Sequence, residues 1–175
     1  DTNKAKQCCG CGACVDCCPR SAISMIEGAD KSKYPTIDST LCVECGRCRN
    51  VCSFLKLPNN RMDFEQKAYM AVLKDSIKRN QSASGGAFEG IVAGLEKKHH
   101  DFLIAGAVWG DNLQVMHDLR PVRKRDGFRK SKYVQSNCIG IYKKTKESLL
   151  NGKVVLFSGT PCQVAGLRKY LGKNY

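Results

Sequence analysis

Cys8-Cys9-Gly10-Cys11-Gly12-Ala13-Cys14-Val15-Asp16-Cys17-Cys18-Pro19 and, further along, Cys42-Val43-Glu44-Cys45-Gly46-Arg47-Cys48-Arg49-Asn50-Val51-Cys52-Ser53 decide how this chain is read. Each stretch contains the spacing Cys-x2-Cys-x2-Cys-x3-Cys, with Pro19 after the first and Ser53 where a second proline would stand. A cubane iron–sulfur cluster needs four thiolates at its corners. The x2 spacing in a tight loop lets three Cβ vectors converge, while the fourth cysteine falls on a short helix that points away and serves the other cluster. The expected ligand sets are therefore Cys8, Cys11, Cys14 and Cys52 for one 4Fe–4S cluster, and Cys42, Cys45, Cys48 and Cys18 for the other. Gly10, Gly12 and Gly46 lie inside the loops, where the lack of a Cβ lets backbone amides approach inorganic sulfur. Structural zinc is the rival, but it uses CxxC pairs separated by a longer gap. Cys9 and Cys17 are surplus and read as small buried side chains.

This spacing resembles that of two-cluster bacterial ferredoxins. Between the quartets, Ala22–Ile26 and Tyr34–Asp38 read as short strands around Gly28, so a loop, helical turn and strand are followed by their approximate repeat. Twelve of the 175 residues are cysteine, and ten of them lie between Cys8 and Cys52. A secreted disulfide scaffold would scatter them and require a signal segment. The crowding points instead to metal in a reducing compartment, and a cytoplasmic location is expected. No apolar run approaches the ~18–20 residues of a membrane span. The chain opens on Asp1 and stops just past a predicted helix, which suggests an N-terminal fragment of a longer protein.

The net charge of +13 is uneven: residues 1–60 carry +2 and residues 61–175 carry +11. An acidic redox partner, a phosphate-bearing cofactor or nucleic acid would answer such an excess. Arg120–Lys132 holds seven basic residues and one aspartate, a run whose plainest reading is a solvated face. No zinc-finger, helix-turn-helix or RNA-recognition pattern accompanies it, so nucleic acid ranks last. His99, His100 and His117 show no ligand or triad spacing and read as surface residues.

Phe54–Asn60 has turn chemistry. Beyond it, Ala68–Leu73 and Leu103–Trp109 read as strands. Leu113–Leu119 alternates, with Leu113, Val115 and His117 on one face. Val154–Phe157 reads as a buried strand. Helices are expected over Gly86–Lys98, with Phe88, Ile91, Val92 and Leu95 in period, over Ile139–Leu150, and from Pro161 to Leu171 with Gly172 as the stop. The fold class is α+β: a small pseudo-symmetric 2[4Fe-4S] domain (1–57), a linker (58–66) and a mixed α/β domain (67–175) that is expected to be truncated. Ser82–Ala87 and Ser158–Cys162 read as strand-to-helix junctions whose amides and hydroxyls could meet an anion.

Three blocks of the second segment carry a further resemblance: Arg79-x2-Ser82-Ala83-Ser84-Gly85-Gly86-x-Phe88, Ser131–Ser136 and Phe157-Ser158-Gly159-Thr160-Pro161-Cys162-Gln163-Val164-Ala165-Gly166-Leu167. In this order they resemble the coenzyme F-420 (deazaflavin) hydrogenase/dehydrogenase beta-subunit family, from about Lys67 onward. The resemblance implies an iron–sulfur flavoprotein with FAD beside the clusters. It implies a flavin region containing Ser84, Gly85, Gly86, Lys132, Tyr133, Ser158, Gly159 and Thr160. Members usually continue past the Thr-Pro-Cys-Gln helix into further cysteines, so this chain alone is expected to retain flavin poorly. Cys162 could ligate a cluster completed by that further region, or lie near the flavin.

Two function classes follow. One is an oxidoreductase subunit relaying electrons between 4Fe–4S clusters and a flavin, then to or from a deazaflavin or other small-molecule acceptor. The other is a simple ferredoxin-type carrier whose basic segment only docks partners. Both call for a redox partner protein or subunit.

Overall fold

A computed structural model of the chain describes residues 8–55, 67–173 and 175. The expected linker at 58–66 lies outside the described residues.

In the cysteine-rich part, helix α1 (Ala13–Asp16) leads to strands β1 (Ile23–Glu27) and β2 (Lys33–Ile37), and then to helix α2 (Arg47–Val51). The strands pair antiparallel, with Ile23 opposite Ile37 and Met25 opposite Pro35. Each helix starts at a left-handed glycine, Gly12 at φ 78° and Gly46 at φ 71°. Other residues adopt that conformation only under strain. The matched caps express the internal repeat. The helices are shorter than the spacing suggested. They carry the third cysteines, Cys14 and Cys48, and end before Cys18 and Cys52. Cys18 is reached by a tighter turn, its amide donating to the Val15 carbonyl at 3.1 Å.

The second part contains α3 (Ser76–Asn80), α4 (Ala87–Glu96), β3 (Leu103–Trp109), β4 (Val115–Pro121), α5 (Ile141–Leu150), β5 (Val155–Phe157) and α6 (Pro161–Leu171). The sheet order is β4-β3-β5, with β3 antiparallel to β4 and parallel to β5. Together the two parts make an α+β fold.

Several expectations change. Ala68–Leu73 forms no strand; it runs exposed and is tied by the Leu73 amide to the Gly85 carbonyl at 2.8 Å. Its apolar residues have no sheet edge beside them. Ser82–Ala87 joins helix α3 to α4 rather than a strand to a helix. Leu113 lies exposed in a 3-10 turn (Asp111–Leu113), while Val115 and His117 do face inward. On α4 Ile91 is exposed and Glu89 takes a buried position. The last strand, β5, is half-buried because it sits at the sheet edge.

The two faces of β3 bury different things, as strand alternation requires. Ile104 and Val108 pack with Val92 of α4, Phe102, Val122 and Phe128. Ala105 packs on the other side with Ile141 and Tyr142 of α5, Leu167 of α6, and Ala13 and Val51 of the cysteine-rich part. One core thus runs across both segments.

A polar seam reinforces it. Gly140 starts α5 and has no side chain to cap it. The Asp16 carboxylate supplies the cap, accepting from the amides of Gly140 at 2.6 Å, Tyr142 at 3.0 Å and Lys143 at 3.4 Å. Burial pushes the Asp16 carboxyl up, and these same amides pull it back. The Tyr142 hydroxyl donates to the Cys11 carbonyl at 2.7 Å.

Loss of this cap has a measurable consequence. Asp16→Ala strands helix amides at a buried seam and should cost about 1–3 kcal/mol. Asp16→Asn keeps an acceptor and should cost clearly less. Denaturant unfolding of the cluster-loaded chain checks both; equal stability of wild type and Asp16→Ala would show that the seam does not need the cap.

Candidate iron–sulfur and cofactor site

The first cysteine loop is pressed into the seam and the second lies at the surface. Of the eight ligand candidates, Cys45 is exposed and the other seven are half-buried. Two are already met by backbone donors: Gly10 N–H to Cys8 Sγ and Ala22 N–H to Cys18 Sγ, each at 3.3 Å. Such donors suit a thiolate.

Electrostatics show which thiols are neighbours. Cys8 is pushed up by burial, against the Gly10 amide, and by the charges of Cys11, Cys52 and Cys162. Cys14 is pushed up to about 12 by burial, then by Cys11, Cys8 and Cys17. Cys52, distant in sequence, thus stands with the first loop. Cys17 is pushed up to about 11 by burial and by Cys48, Cys18 and Cys45, so Cys18 shares surroundings with the second loop. Cys9 donates to Cys11, which holds Cys11 low and Cys9 high. Sulfurs that repel as bare thiolates are stabilised together by a cationic iron core, so the donor set fits such a group. Gly166 of α6 keeps room for the first loop: a Cβ there would lie 3.4 Å from Cys11 Sγ.

The surplus cysteines are not fully buried. Cys9 is half-buried and reaches a cavity; Cys17 is half-buried and donates to the Cys14 carbonyl at 3.3 Å.

That cavity, about 570 Å³, lies between the first cysteine loop and the second segment. Cys9 and Gly10 line it, as do Gly86, Lys132, Ser158, Gly159 and Thr160 among the residues expected from the resemblance. Ser84, Gly85 and Tyr133 do not line it, and Tyr133 is 93% exposed. Three helix N-termini differ in what they leave free. Asp16 caps α5. Thr160 and Gln163 cap α6 with a reciprocal box, the Thr160 amide donating to Gln163 Oε1 at 2.8 Å. Gly86 starts α4 with no side-chain cap, so its first amides stay available to an anion in the cavity. The Lys132 ammonium is already engaged, donating to the carbonyls of Gly127, Arg129 and Lys130 at 2.9–3.2 Å. It shapes the cavity rim, and burial lowers its pKa.

The basic run is paired in part: Arg120, Arg125 and Arg129 meet carboxylates, while Arg123, Lys124 and Lys130 are exposed and make no ion pair among the described residues. Buried Glu89 takes Arg125 Nε at 3.3 Å and Arg129 Nε at 3.0 Å. Glu96 takes Arg125 as well, and Asp118 takes Arg120 at 2.7 Å.

His117 is the clearest residue that sequence reasoning misplaced. Only 4% exposed, it lines the cavity. Its Nε2 meets the Ser158 carbonyl at 3.1 Å, which fixes the proton there, and Nδ1 then accepts from the buried Cys138 thiol at 3.3 Å. Gln163 Nε2 donates to Cys138 Sγ at 3.1 Å and Ser136 Oγ at 2.9 Å. The alternation of β4 already set His117 on the face of Val115, and that was the signal. Of the other two, His100 is exposed and His99 half-buried.

Burial holds His117 below the ordinary histidine value, and the Ser158 contact opposes this only partly. A depressed folded pKa means that the neutral ring's contribution is complete above the unfolded value, about 6.5, and is lost as pH falls from there through the folded value. Wild-type stability should therefore drop on acidification from about pH 7 toward 5, and His117→Asn should flatten that drop. Unfolding midpoints across this range check it; parallel profiles would remove His117 as the cause.

The 4Fe-4S dicluster domain family matches residues 7–55. A comparison with curated proteins finds no match. Among the described residues no helix is long and apolar enough to cross a membrane. Two cysteine quartets on a pseudo-symmetric loop–helix–strand frame, matched over that span, make the first part of the chain a ferredoxin-like iron–sulfur domain with an electron-transfer role.

Proposed function

We propose that the chain is the iron–sulfur and flavin-binding part of a cytoplasmic oxidoreductase, exchanging electrons with a redox partner and with a deazaflavin or other small acceptor. The observation that carries this reading is the cavity: one wall is the first cysteine loop, at Cys9 and Gly10, and the other is Gly86 with Ser158–Thr160. It supports FAD held beside the first cluster. When bound, clusters supply one-electron storage and a flavin supplies the step to two-electron chemistry.

The chain's own residues have separate roles in this reading. Cys8, Cys11, Cys14 and Cys52 hold one cluster; Cys42, Cys45, Cys48 and Cys18 hold the other. The uncapped start of α4 at Gly86 receives a pyrophosphate, where amides and the helix dipole act together. The Ser158 and Thr160 hydroxyls and the Gly159 amide face the same cofactor. Lys132 holds the rim turn in shape. Ser84, Gly85 and Tyr133 act from outside the cavity wall, through the turn that presents Gly86 and the segment that carries Lys132. The division into a cluster domain (1–57), a linker (58–66) and a flavin domain (67–175) belongs to this reading too.

Two measurements test it. The chain prepared without oxygen should carry about eight irons. Cys18→Ala should then damage the same cluster as Cys42→Ala and leave the spectrum of the Cys8→Ala-sensitive cluster intact. Pairing within each quartet would make Cys18→Ala resemble Cys8→Ala.

Acid treatment of the intact protein should release FAD, and Ser158→Ala should weaken FAD binding about threefold to tenfold without changing iron content. Full iron with no flavin affinity would leave a ferredoxin-type carrier.

A further inference from the structure

The rim of the second cysteine loop sets basic side chains directly beside cysteines. Arg20, Arg47 and Arg49 are exposed, and none of them makes an ion pair among the described residues. All three line a depression with Cys18, Cys42, Cys45 and Cys48. In the basic run Arg120, Arg125 and Arg129 are spent on carboxylates, and Arg123 and Lys124, though exposed, do not line the depression that holds the cysteines. The same depression exposes apolar side chains, Ile37 at 55% and Val43 at 58%. The rim's acidic members are Glu44 and Asp38, and Asp38 is engaged by Thr40. Unpaired guanidiniums around an apolar patch form the anatomy of a transient interface, with charge at the edge for steering and a small dry centre for contact.

We infer that this rim is the docking surface for an acidic one-electron carrier protein, which exchanges electrons through the cysteine set at the surface while the other set serves the cavity. The inference rests on the two-cluster reading above. The exchange is balanced without further reactants: one electron leaves the reduced carrier and one enters the chain, and no bond forms or breaks. Charge complementarity selects the occupant. The chain is +13 by sequence and stays near about +9 when eight thiolates and two cores of about +2 are counted. Its long-range field therefore gathers acidic proteins, and the unpaired arginines choose where they land. A nucleic acid would not need the apolar centre or the nearby redox group. The free rim is small, which suits the weak, fast-exchanging contacts of electron carriers.

The test uses the cluster-loaded chain and a small acidic two-cluster ferredoxin as the probe. Arg20→Glu/Arg49→Glu is the variant; Arg47 is left in place because its charge reaches the Cys17 thiol. Lys97→Glu/Lys98→Glu, which changes net charge equally, is the control. Affinity is measured by titration and electron exchange by stopped flow, from low to physiological salt. A neutral zwitterionic viologen is a second reductant that ignores docking. The expected result is that the rim variant binds the ferredoxin at least about tenfold more weakly and loses most of the salt dependence of its rate. Reduction by the viologen reads any change in the clusters' own reducibility and should fall far less than reduction by the ferredoxin, and the control should stay near wild type. Equal loss in both charge variants, or none in the rim variant, would overturn the docking site while leaving the two-cluster reading intact. A chain with no reducible iron would overturn both, and the iron count distinguishes the two failures.

Discussion

The packing of the first cysteine loop against the start of α5 is the constraint on which the rest depends. A loop meant to surround a charged inorganic group has few apolar side chains of its own, and a domain of this size buries too little surface to hold it firmly. Here Ala13 and Val51 enter the core of the second segment, and Asp16 caps a helix that begins 124 residues away in sequence. The helix needs the cap because Gly140 cannot provide one. The loop needs the helix because Tyr142 holds the Cys11 carbonyl. Each part completes a hydrogen-bonding requirement of the other.

Charge is organised on the same logic. The basic run after β4 looks like a free patch in sequence but closes onto α4, where buried Glu89 is shared by two guanidiniums. A carboxylate 1% exposed would be costly alone; with two charged donors it becomes a clamp, and removing either side would leave a stranded charge. The run thereby anchors the turn whose carbonyls hold Lys132, which shapes the cavity rim. Arg123, Lys124 and Lys130 of the run stay exposed without an ion pair among the described residues, as do Arg20, Arg47 and Arg49 beside the second cysteine loop.

Local patterns in the sequence reached far, and their failures share a cause. The cysteine spacing, the hairpin between the quartets, β3 and the Pro161–Leu171 helix depend on neighbours in sequence and were legible. Gly12 and Gly46 were legible as glycines of the tight loops, but for the room they leave at sulfur; their left-handed helix caps come from the structure. What was not legible depends on partners far along the chain. His117 looked like a surface histidine because Cys138 and the Ser158 carbonyl, which satisfy its ring, lie 21 and 41 residues away. Ala68–Leu73 had strand-like composition but no edge to join. Lys132 looked like a free cation because the carbonyls that engage it come from a turn whose shape the sequence does not state. Gly86 was legible as a helix start, but its importance comes from contrast: α5 and α6 are capped, and α4 is not.

The unequal surroundings of the two cysteine sets have a thermodynamic consequence. The first loop is half-buried against an apolar core, with Tyr142 and Gly166 closing its back, while the second has an exposed cysteine and three free arginines. Burial disfavours adding negative charge to a group that already carries it; solvent and nearby cations favour it. On those terms alone, the surface set is the easier to reduce and the buried set the harder. Backbone donors do not separate the sets, since Gly10 N–H meets Cys8 Sγ in the first and Ala22 N–H meets Cys18 Sγ in the second, each at 3.3 Å. Hydrogen bonds to sulfur stabilise the reduced form, as second-contact groups generally tune a metal site. What distinguishes the sets is therefore exposure and the arginines beside the second, not the backbone donors to sulfur.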